Sequence, residues 1–495
     1  MNFEKRMKKR GNQNLDNLTP ALYEKPKNHF PLWAKIMIPV GSVVLASSLA
    51  LAIILPSKVT NKKSAITMSQ IVKPTVEKVS KICDRNMSQL TYDSYTAFTK
   101  KFVSLMMEVN NSTEEDSLGI SIPDAYLCFA ITALISLDVA RDDVLSYLEL
   151  PNMDALRTAV REVLSVTATL YKNQNGKLMG GYNLNSIWLN PEKVSLIKEK
   201  DEELYRDLAE IFDASLYMEA LTSKRANEYL KENGLKDLPT PKIELDDSNP
   251  SAMNTMSVFY CLDYFDPETK YVYKAQYNSH NHKMTYTYNS RNESVDYIEQ
   301  NGVKEVYEGD DFYGSSLSIG NLNMDLFLPN SKTALPSSIL DDVLDNNYHL
   351  RDSTYLDENN NVKPTNYHKV DILAPYFSLN NKPSLSRGDL SKVLPVITTL
   401  GAGERIATAN NGLPMYLDYV SQFSLMKFNY DGFYSCSVTI MGYEAGSAFV
   451  PEYEQFTLKL DHPYVFEVTK SIQVNGINTS IPMVVGEIVT PTYVD

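Results

Sequence analysis

The chain has 495 residues, of which 43% are hydrophobic and 22% are charged, and this ordinary globular composition supplies enough apolar side chains for a large core. The net charge is −14, but the first 35 residues carry +5 and the remaining 460 carry −19. Because phosphate backbones are bound through clustered lysine and arginine, the acidic body argues against a nucleic acid partner.

A membrane anchor is predicted near the N-terminus. Residues 36–55 run for twenty positions without a charge, which is long enough for a helix to cross about 30 Å of hydrocarbon. The basic excess precedes this run, so the positive-inside rule places the N-terminus in the cytoplasm. A cleaved secretory signal is the alternative, but the basic region is unusually long and the apolar run exceeds that of a typical signal. We therefore predict a single-pass plasma-membrane protein with a cytoplasmic basic tail (1–31), a transmembrane helix (32–55), a stalk (56–85) and an extracellular domain (86–495).

Helical patterns come first in this domain. Apolar residues recur at helical spacing from Tyr95 to Val109, which predicts a helix with one buried stripe. Residues 125–137 are apolar all round, which is typical of a helix inside a core and too short to span a bilayer. The helical pattern continues to about Leu238, with a short strand-like interruption at 185–189.

Strand patterns follow after about Asn254. Residues 271–277 and 284–288 alternate with period two, as half-buried strands do. Further strand-like runs lie at 326–328, 371–379, 433–440, 456–460, 464–468 and 483–489. Helices first and strands later predict an α+β fold.

Signatures of catalysis and metal binding are incomplete in this sequence. The serines between Gly314 and Gly320 lack the spacing of a nucleophile elbow, and Gly401 and Gly403 lack the third glycine of a dinucleotide loop. His280 and His282 could place two imidazoles on one face of a strand, but no third ligand is evident, so a solvated hairpin is the better interpretation. We therefore predict no enzymatic activity, no metal and no cofactor.

Eight short motifs between about Tyr92 and Thr492 resemble those of the serpin family, and they occur in the family's order. They are SIP (121–123), NSIWL (185–189), NEYL (227–230) with Gly234, FDPET (265–269), LFLP (326–329), APYF (374–377), LDHPYVF (460–466) and VGEIVTP (485–491). The last two are the most specific, since they look like the family's ADHPFLF and MGRVVNP segments.

This resemblance implies an α+β serpin-like fold with a large central mixed β-sheet, N-terminal helices and an exposed reactive-centre-type loop. A protease cleaves the loop as a substrate, the loop then enters the central sheet as an extra strand, and the trapped protease is distorted. Insertion of this kind is strand addition within one chain, driven by stored strain. The implied function is inhibition of an extracellular or envelope protease of the serine or cysteine type by a monomeric protein.

The resemblance also points to a hinge for this loop. Residues 442–449 align without gaps on the family's GTEAAAAT segment, which makes hinge or reactive-loop residues of Gly442, Tyr443, Glu444, Ala445, Gly446, Ser447 and Ala448. Tyr443 departs from the family, because a bulky ring stands where a small residue must enter a packed sheet. Counting forward from Gly442 places the bait residue near Phe456, whereas counting back from Pro463 places it near Glu452. Both candidates stay open.

Positions that control insertion in the family also differ here. By ungapped alignment with the family, Cys261 stands where the family has its breach tryptophan. Ala125 stands near the position of the shutter serine, and Gly432 stands where the shutter histidine would be. The family's groups act through buried hydrogen bonds, whose loss is costly. Two functions therefore stay open: a protease inhibitor of doubtful competence, and a non-inhibitory serpin-fold module that binds a partner outside the cell.

Overall fold

The computed structural model describes residues 70–73, 86–110, 117–168, 170–172, 178–199, 201–235, 238–264, 283–357, 359–429, 431–435 and 452–492. All of these belong to the second of two compact units, Met1–Ala65 and Ile66–Asp495. The predicted cytoplasmic tail and transmembrane helix lie outside the described residues. Within the described part, no helix combines the length and the apolar character that crossing a membrane requires.

The described helices are concentrated in the first half of the domain. They are α1 (Gln89–Asn110), α2 (Pro123–Ile135), α3 (Asp138–Tyr147), α4 (Met153–Thr167), α5 (Glu202–Glu210), α6 (Ser223–Asn233), α7 (Ser337–Leu344) and α8 (Arg387–Leu390).

The described strands begin before the first helix and dominate the second half of the domain. The first thirteen are β1 (Gln70–Val72), β2 (Asn86–Met87), β3 (Leu118–Ser121), β4 (Leu170–Lys172), β5 (Leu178–Leu189), β6 (Val194–Leu196), β7 (Ala214–Tyr217), β8 (Met253–Tyr264), β9 (Lys283–Tyr288), β10 (Arg291–Glu308), β11 (Phe312–Ile319), β12 (Leu322–Pro329) and β13 (His349–Leu350). The others are β14 (Ser353–Leu356), β15 (Val362–Thr365), β16 (Tyr367–Pro375), β17 (Phe377–Asn381), β18 (Ser384–Ser386), β19 (Ala407–Ala409), β20 (Tyr419–Ser421), β21 (Ser424–Asn429), β22 (Gly432–Ser435), β23 (Glu452–Tyr453), β24 (Gln455–Lys459), β25 (Tyr464–Val474) and β26 (Ile477–Ile488).

Two large sheets hold most of these strands. Among the described residues, the eight-stranded central sheet has the order β1-β7-β5-β8-β22-β21-β17, with β4 also paired to β5. The eleven-stranded sheet has the order β24-β16-β10-β11-β12-β25-β26-β3, with β2, β9 and β13 attached at its sides. Three smaller sheets join β15-β14-β23, β18-β20 and β19-β6.

The predicted buried helices form the floor of the central sheet. The apolar stripe of α1 is buried, and its Phe98 ring packs edge-on against Tyr126 and Phe129 of α2, with centroids 5.3 and 5.5 Å apart. In α2 nearly every side chain is buried, which confirms a core helix over 125–135. The prediction extended it two residues too far, since the helix ends at Ile135 and Leu137 is exposed. An all-apolar helix can be stable in water only where neighbouring elements cover it on all sides.

The α+β prediction is confirmed, and most predicted strands are present, while the predicted strand at 271–277 and the end of the one at 433–440 lie outside the described residues. The alternating run at 284–288 lies in β9, where Met284 and Tyr286 are buried while their neighbours are not. The prediction of one strand at 371–379 was wrong, because β16 and β17 belong to different sheets and Tyr376 separates them. The backbone N–H of Tyr376 bonds to the carbonyl of Asp296, which turns the chain between the two sheets. The predicted strand-like interruption at 185–189 lies in β5, whereas β3, β4, β6 and β7 in the same region were not predicted.

Candidate functional site

Strand β22 occupies a distinctive position in the central sheet. It pairs antiparallel with β8 on one side and antiparallel with β21 on the other, so β8 and β21 run parallel to each other with β22 between them. Its residues Gly432 to Ser435 stand opposite Tyr264 to Cys261 in register. In the described part of the chain, β22 is the strand that joins the two halves of this sheet.

A tight reversal connects β21 to β22. Asn429 pairs with Gly432, and the side chain of Asn429 accepts a bond of 2.9 Å from the backbone N–H of Asp431. Gly432 has φ +143°, and a Cβ built on it would lie 2.3 Å from the carbonyl oxygen of Asp263. Only glycine permits this close approach of two backbones. Gly432 therefore sets the point at which β22 begins.

Side chains on both faces of the sheet hold β22 in place. Phe433 is buried, and it shares the inner face with Phe428 and Asp263, the residues opposite it on the two neighbouring strands. Tyr434 lies on the outer face, packs in a small cluster with Leu262 and Leu238, and donates its hydroxyl hydrogen bond to the carbonyl of Pro239. The strand is therefore clamped between the core and the segment that follows α6.

The end of β8 beside β22 is itself fixed. The buried carboxylate of Asp263 accepts backbone hydrogen bonds from Tyr264 at 2.8 Å and from Asn321 at 3.0 Å. Asn321 lies in the turn between β11 and β12, where Gly320 has φ +59° and passes directly under the Asp263 carboxylate. A buried carboxylate needs such donors, and here they tie the two large sheets together.

A second polar network lies at the other end of β21. The side-chain amide of Gln422 donates to the carbonyl of Ser121 at 2.7 Å and to Asp124 at 3.2 Å, and its oxygen accepts from the N–H of Ser121 at 2.8 Å. The hydroxyl of Ser121 donates to the second oxygen of Asp124. Burial raises the pKa of Asp124 to about 6, against the lowering effect of these bonds. The network connects the start of α2 to the strand that borders β22.

Comparison with solved structures identifies this architecture. The thermophilic serpin tengpin in its native state matches with a TM-score of 0.56 at 14% identity, over 83% of this chain and 96% of that chain. Cleaved Serpin 42Da matches with a TM-score of 0.57 at 14% identity, over 81% of this chain and 100% of that chain. The mouse protein-Z dependent protease inhibitor matches with a TM-score of 0.56 at 13% identity, over 81% of this chain and 98% of that chain.

The chain has the serpin fold. The sequence resemblance is thus confirmed at the level of the fold, although no family profile matches the sequence and no curated protein matches it.

Strand β22 precedes the predicted reactive loop in the chain. In the described part of the central sheet, β22 lies between β8 and β21, at the end where β8 finishes. Strand β22 begins at Gly432, ten residues before the predicted hinge glycine. The predicted hinge residues Gly442, Tyr443, Glu444, Ala445, Gly446, Ser447 and Ala448 lie outside the described residues, and their role stays a prediction.

The two bait candidates lie in strands that follow the loop. Glu452 is exposed in the two-residue strand β23, opposite Leu356 of β14. Phe456 is partly buried in β24, opposite Val370 of β16, and its ring lies 6.0 Å from that of Tyr313. The side chain of Glu452 is thus exposed, whereas the ring of Phe456 is engaged in packing.

The positions singled out by counting have definite places. Cys261 is buried in β8 opposite Ser435, so it lines the point where β22 meets the sheet. Ala125 is buried in α2, directly after Asp124, and Gly432 is the turn glycine. The polar network at this end of the sheet consists of Ser121, Asp124 and Gln422. Alignment by residue position did not predict it, because Gln422 lies 301 residues after Ser121 in the sequence.

Sequence signals for two of these features did exist. Asp431 followed by Gly432 is a turn dipeptide between two apolar runs, which favours a hairpin at this point. Ser121 followed three residues later by Asp124 at the start of an apolar helix resembles a capping pattern. No local pattern indicates Gln422.

No cluster of three or more potential metal ligands occurs among the side chains that the structure describes. His280 and His282 lie outside those residues.

Proposed function

We propose that this chain is a cell-surface protease inhibitor that acts through a cleavable loop and strand insertion. The observation that carries the proposal is β22, which comes from the segment leading to the loop and is accommodated between β8 and β21. A sheet that accepts this strand through paired backbone groups on both sides can lengthen the same strand when the loop is cut.

The proposed target is a serine or cysteine protease outside the cell or in the envelope. The stretch from Gly432 to Pro451 has twenty residues, enough to span about 65 Å when extended, and the exposed Glu452 follows it. Similarity to the mouse protein-Z dependent protease inhibitor supports protease inhibition as the function. We propose a monomer without cofactor or catalytic activity, anchored through residues 36–55 with its C-terminal domain extracellular.

A non-inhibitory binding module is the second candidate, and the clamp on β22 favours it. Phe433 and Tyr434 are large, and they hold the strand from both faces before any cleavage. A strand held in this way relieves in advance part of the strain that would drive further insertion. Such a protein would present its loop to a partner without trapping it.

Formation of a covalent complex tests the proposal. The full chain is incubated with a panel of serine and cysteine proteases, and the products are separated by denaturing electrophoresis. An inhibitor yields a band that contains both proteins, and mass spectrometry of the released fragment identifies the cut bond near Glu452. Cleavage by every protease without any such band would overturn the inhibitory proposal and favour the binding module.

A further inference from the structure

Exposed apolar side chains are unevenly distributed over this domain. Among the described residues, seven of the twelve exposed large hydrophobic side chains fall in two short segments, 137–139 and 393–419. We call six of them the apolar patch: Leu137 (40% exposed), Val139 (62%), Leu400 (44%), Leu413 (65%), Tyr416 (44%) and Tyr419 (38%). Single exposed apolar residues are normal, but a concentration of this kind marks an interaction surface.

The two segments are neighbours in space. The N–H of Gly403 donates to the hydroxyl of Ser136 at 3.1 Å, and the N–H of Arg405 donates to the carbonyl of Ile135 at 3.0 Å, so the segment after Leu400 lies against the end of α2. The N–H of Ala402 bonds to the carbonyl of Met415 at 3.1 Å. Hydrogen bonds thus hold the residues around Leu137, Leu400 and Leu413 together.

The apolar patch lies at the same end of the central sheet as Gln70, the first residue of β1. Across the sheet, Gln70 of β1 is opposite Tyr217, Tyr217 is opposite Trp188, and Trp188 is opposite Asn254. Three strand spacings separate Gln70 from Asn254, which is about 14 Å. The hydroxyl of Tyr419 donates to the side chain of Asn254 at 3.1 Å. Gln70 and the patch therefore share one end of the sheet.

We infer that the apolar patch rests on the surface of the lipid bilayer that holds the anchor. This inference rests on the proposed anchoring through residues 36–55. Fourteen residues separate Leu55 from Gln70, and a fully extended chain of that length reaches at most about 50 Å. With the proposed anchoring, the chain that leaves the bilayer reaches the described domain at Gln70, at the end of the sheet that carries the patch.

The chemistry of the patch fits the interfacial region of a membrane. Leucine and valine side chains insert into the boundary between headgroups and acyl chains, and tyrosine prefers this region because its ring is apolar and its hydroxyl is polar. The flanking charges are mixed: Asp138 and Asp142 are exposed beside Arg141. Lys392 pairs with Asp389, and Arg387 stacks on the ring of Tyr416 at 3.9 Å. Attraction to anionic lipids is therefore not required, and the contact forms on zwitterionic phosphatidylcholine.

Lipid-borne quenching tests the inference on the full chain. The protein is reconstituted in phosphatidylcholine vesicles that contain a nitroxide-labelled lipid, with Cys83→Ser and Cys436→Ser removing two native thiols. An environment-sensitive fluorophore is attached at Leu413→Cys. The matched control is Val362→Cys, because Val362 is as exposed as Leu413 (66% against 65%) but lies in β15, in the small sheet that contains Glu452. We expect quenching at position 413 to be roughly tenfold stronger than at 362, since interfacial side chains insert about 5–10 Å.

A second variant separates contact through the patch from mere proximity. Leu400→Ser combined with Tyr416→Ser removes apolar surface at exposed positions, so the fold should persist while quenching at position 413 falls severalfold. Equal, weak quenching at 413 and 362 in a protein that floats with the vesicles would overturn the inference and leave the anchoring intact. A protein that does not integrate into the vesicles would overturn the anchoring and, with it, this inference.

Discussion

Gly432 is the residue on which the position of β22 depends. Its φ of +143° is unfavourable for any other residue, and the Cβ of an alanine would meet two backbone atoms of β8, the Asp263 oxygen at 2.3 Å and the Tyr264 Cα at 2.7 Å. We predict that Gly432→Ala displaces β22 from the sheet. Hydrogen exchange measures this displacement, and the amides of Phe433 and Tyr434 should exchange at least tenfold faster than in the wild type.

Gly412 offers a matched control for this substitution. It also has a positive φ, +73°, but a Cβ built there meets no heavy atom within 4 Å. Gly412→Ala should therefore cost only the local backbone strain, about 1 kcal/mol, and leave exchange in β22 unchanged. Equal exchange in the two variants would show that close contact at Gly432 does not hold the strand.

Asp124 makes the stability of the domain depend on pH. Burial raises its pKa from 3.8 in the unfolded chain to about 6 in the folded protein, so the folded state binds the proton more tightly. Its stabilising contribution is complete below pH 3.8 and is lost as the pH rises through 6. The loss amounts to about 3 kcal/mol of unfolding free energy.

Substitution of Asp124 by asparagine tests this pH dependence. Asp124→Asn should be more stable than the wild type at pH 7, and the difference in unfolding free energy should disappear towards pH 4. Glu467, whose pKa burial raises to about 8, affects both proteins alike and cancels in that difference. Asp138→Asn, at an exposed side chain that starts α3, serves as the control. A difference that does not vary between pH 4 and 7 would contradict the prediction.

At the scale of the element, β22 is defined by its register with β8. Tyr434 and Leu262 are direct cross-strand partners and share the outer face, where they pack in one cluster. Cross-strand partners have Cα atoms about 4.5–5.5 Å apart, which is within the range for a disulfide. We predict that the double variant Tyr434→Cys, Leu262→Cys forms a disulfide under mild oxidation, which mass spectrometry of the linked peptides detects.

The control for this cross-link moves one cysteine by a single residue. Phe433 lies next to Tyr434 but on the inner face, because successive residues of a strand point to opposite sides. Phe433→Cys with Leu262→Cys should therefore remain reduced. A disulfide in the control pair but not in the first pair would mean that β22 is shifted by one residue.

At the scale of the whole molecule, loop cleavage distinguishes the two proposed functions. If the cut loop extends β22 between β8 and β21, many new backbone hydrogen bonds and buried side chains stabilise the folded protein. We predict that the thermal midpoint rises by roughly 10 °C or more after cleavage, which corresponds to several kcal/mol in a large domain. Calorimetry of cut and uncut protein measures the shift.

The Gly432→Ala variant is also the control at this scale. It retains the loop sequence and the bait candidates, so a protease still cuts it, but a displaced β22 cannot be extended. Its thermal midpoint should therefore stay constant on cleavage. A wild-type midpoint that also stays constant would contradict insertion and favour the binding module.

Local patterns in the sequence were sufficient for the fold class and for most elements. Side-chain periodicity within one short segment was enough to predict three of these elements. They are the helix with the stripe from Tyr95 to Val109, the apolar helix α2 and the alternating strand β9. Eight motifs in order were sufficient for the serpin fold, which the solved structures bear out.

The candidate site was decided by tertiary structure. Strand β22 lies beside β8, some 170 residues earlier in the chain, and Gln422 bonds to Ser121, 301 residues away. Backbone pairing has the same chemistry at every residue, so the sequence by itself determined which segments become strands but not which strand each one joins. Tertiary packing determines which strands pair. At β22, the missing side chain of Gly432 lets the backbone of β8 approach closely, and Phe433 is buried in the core beside it.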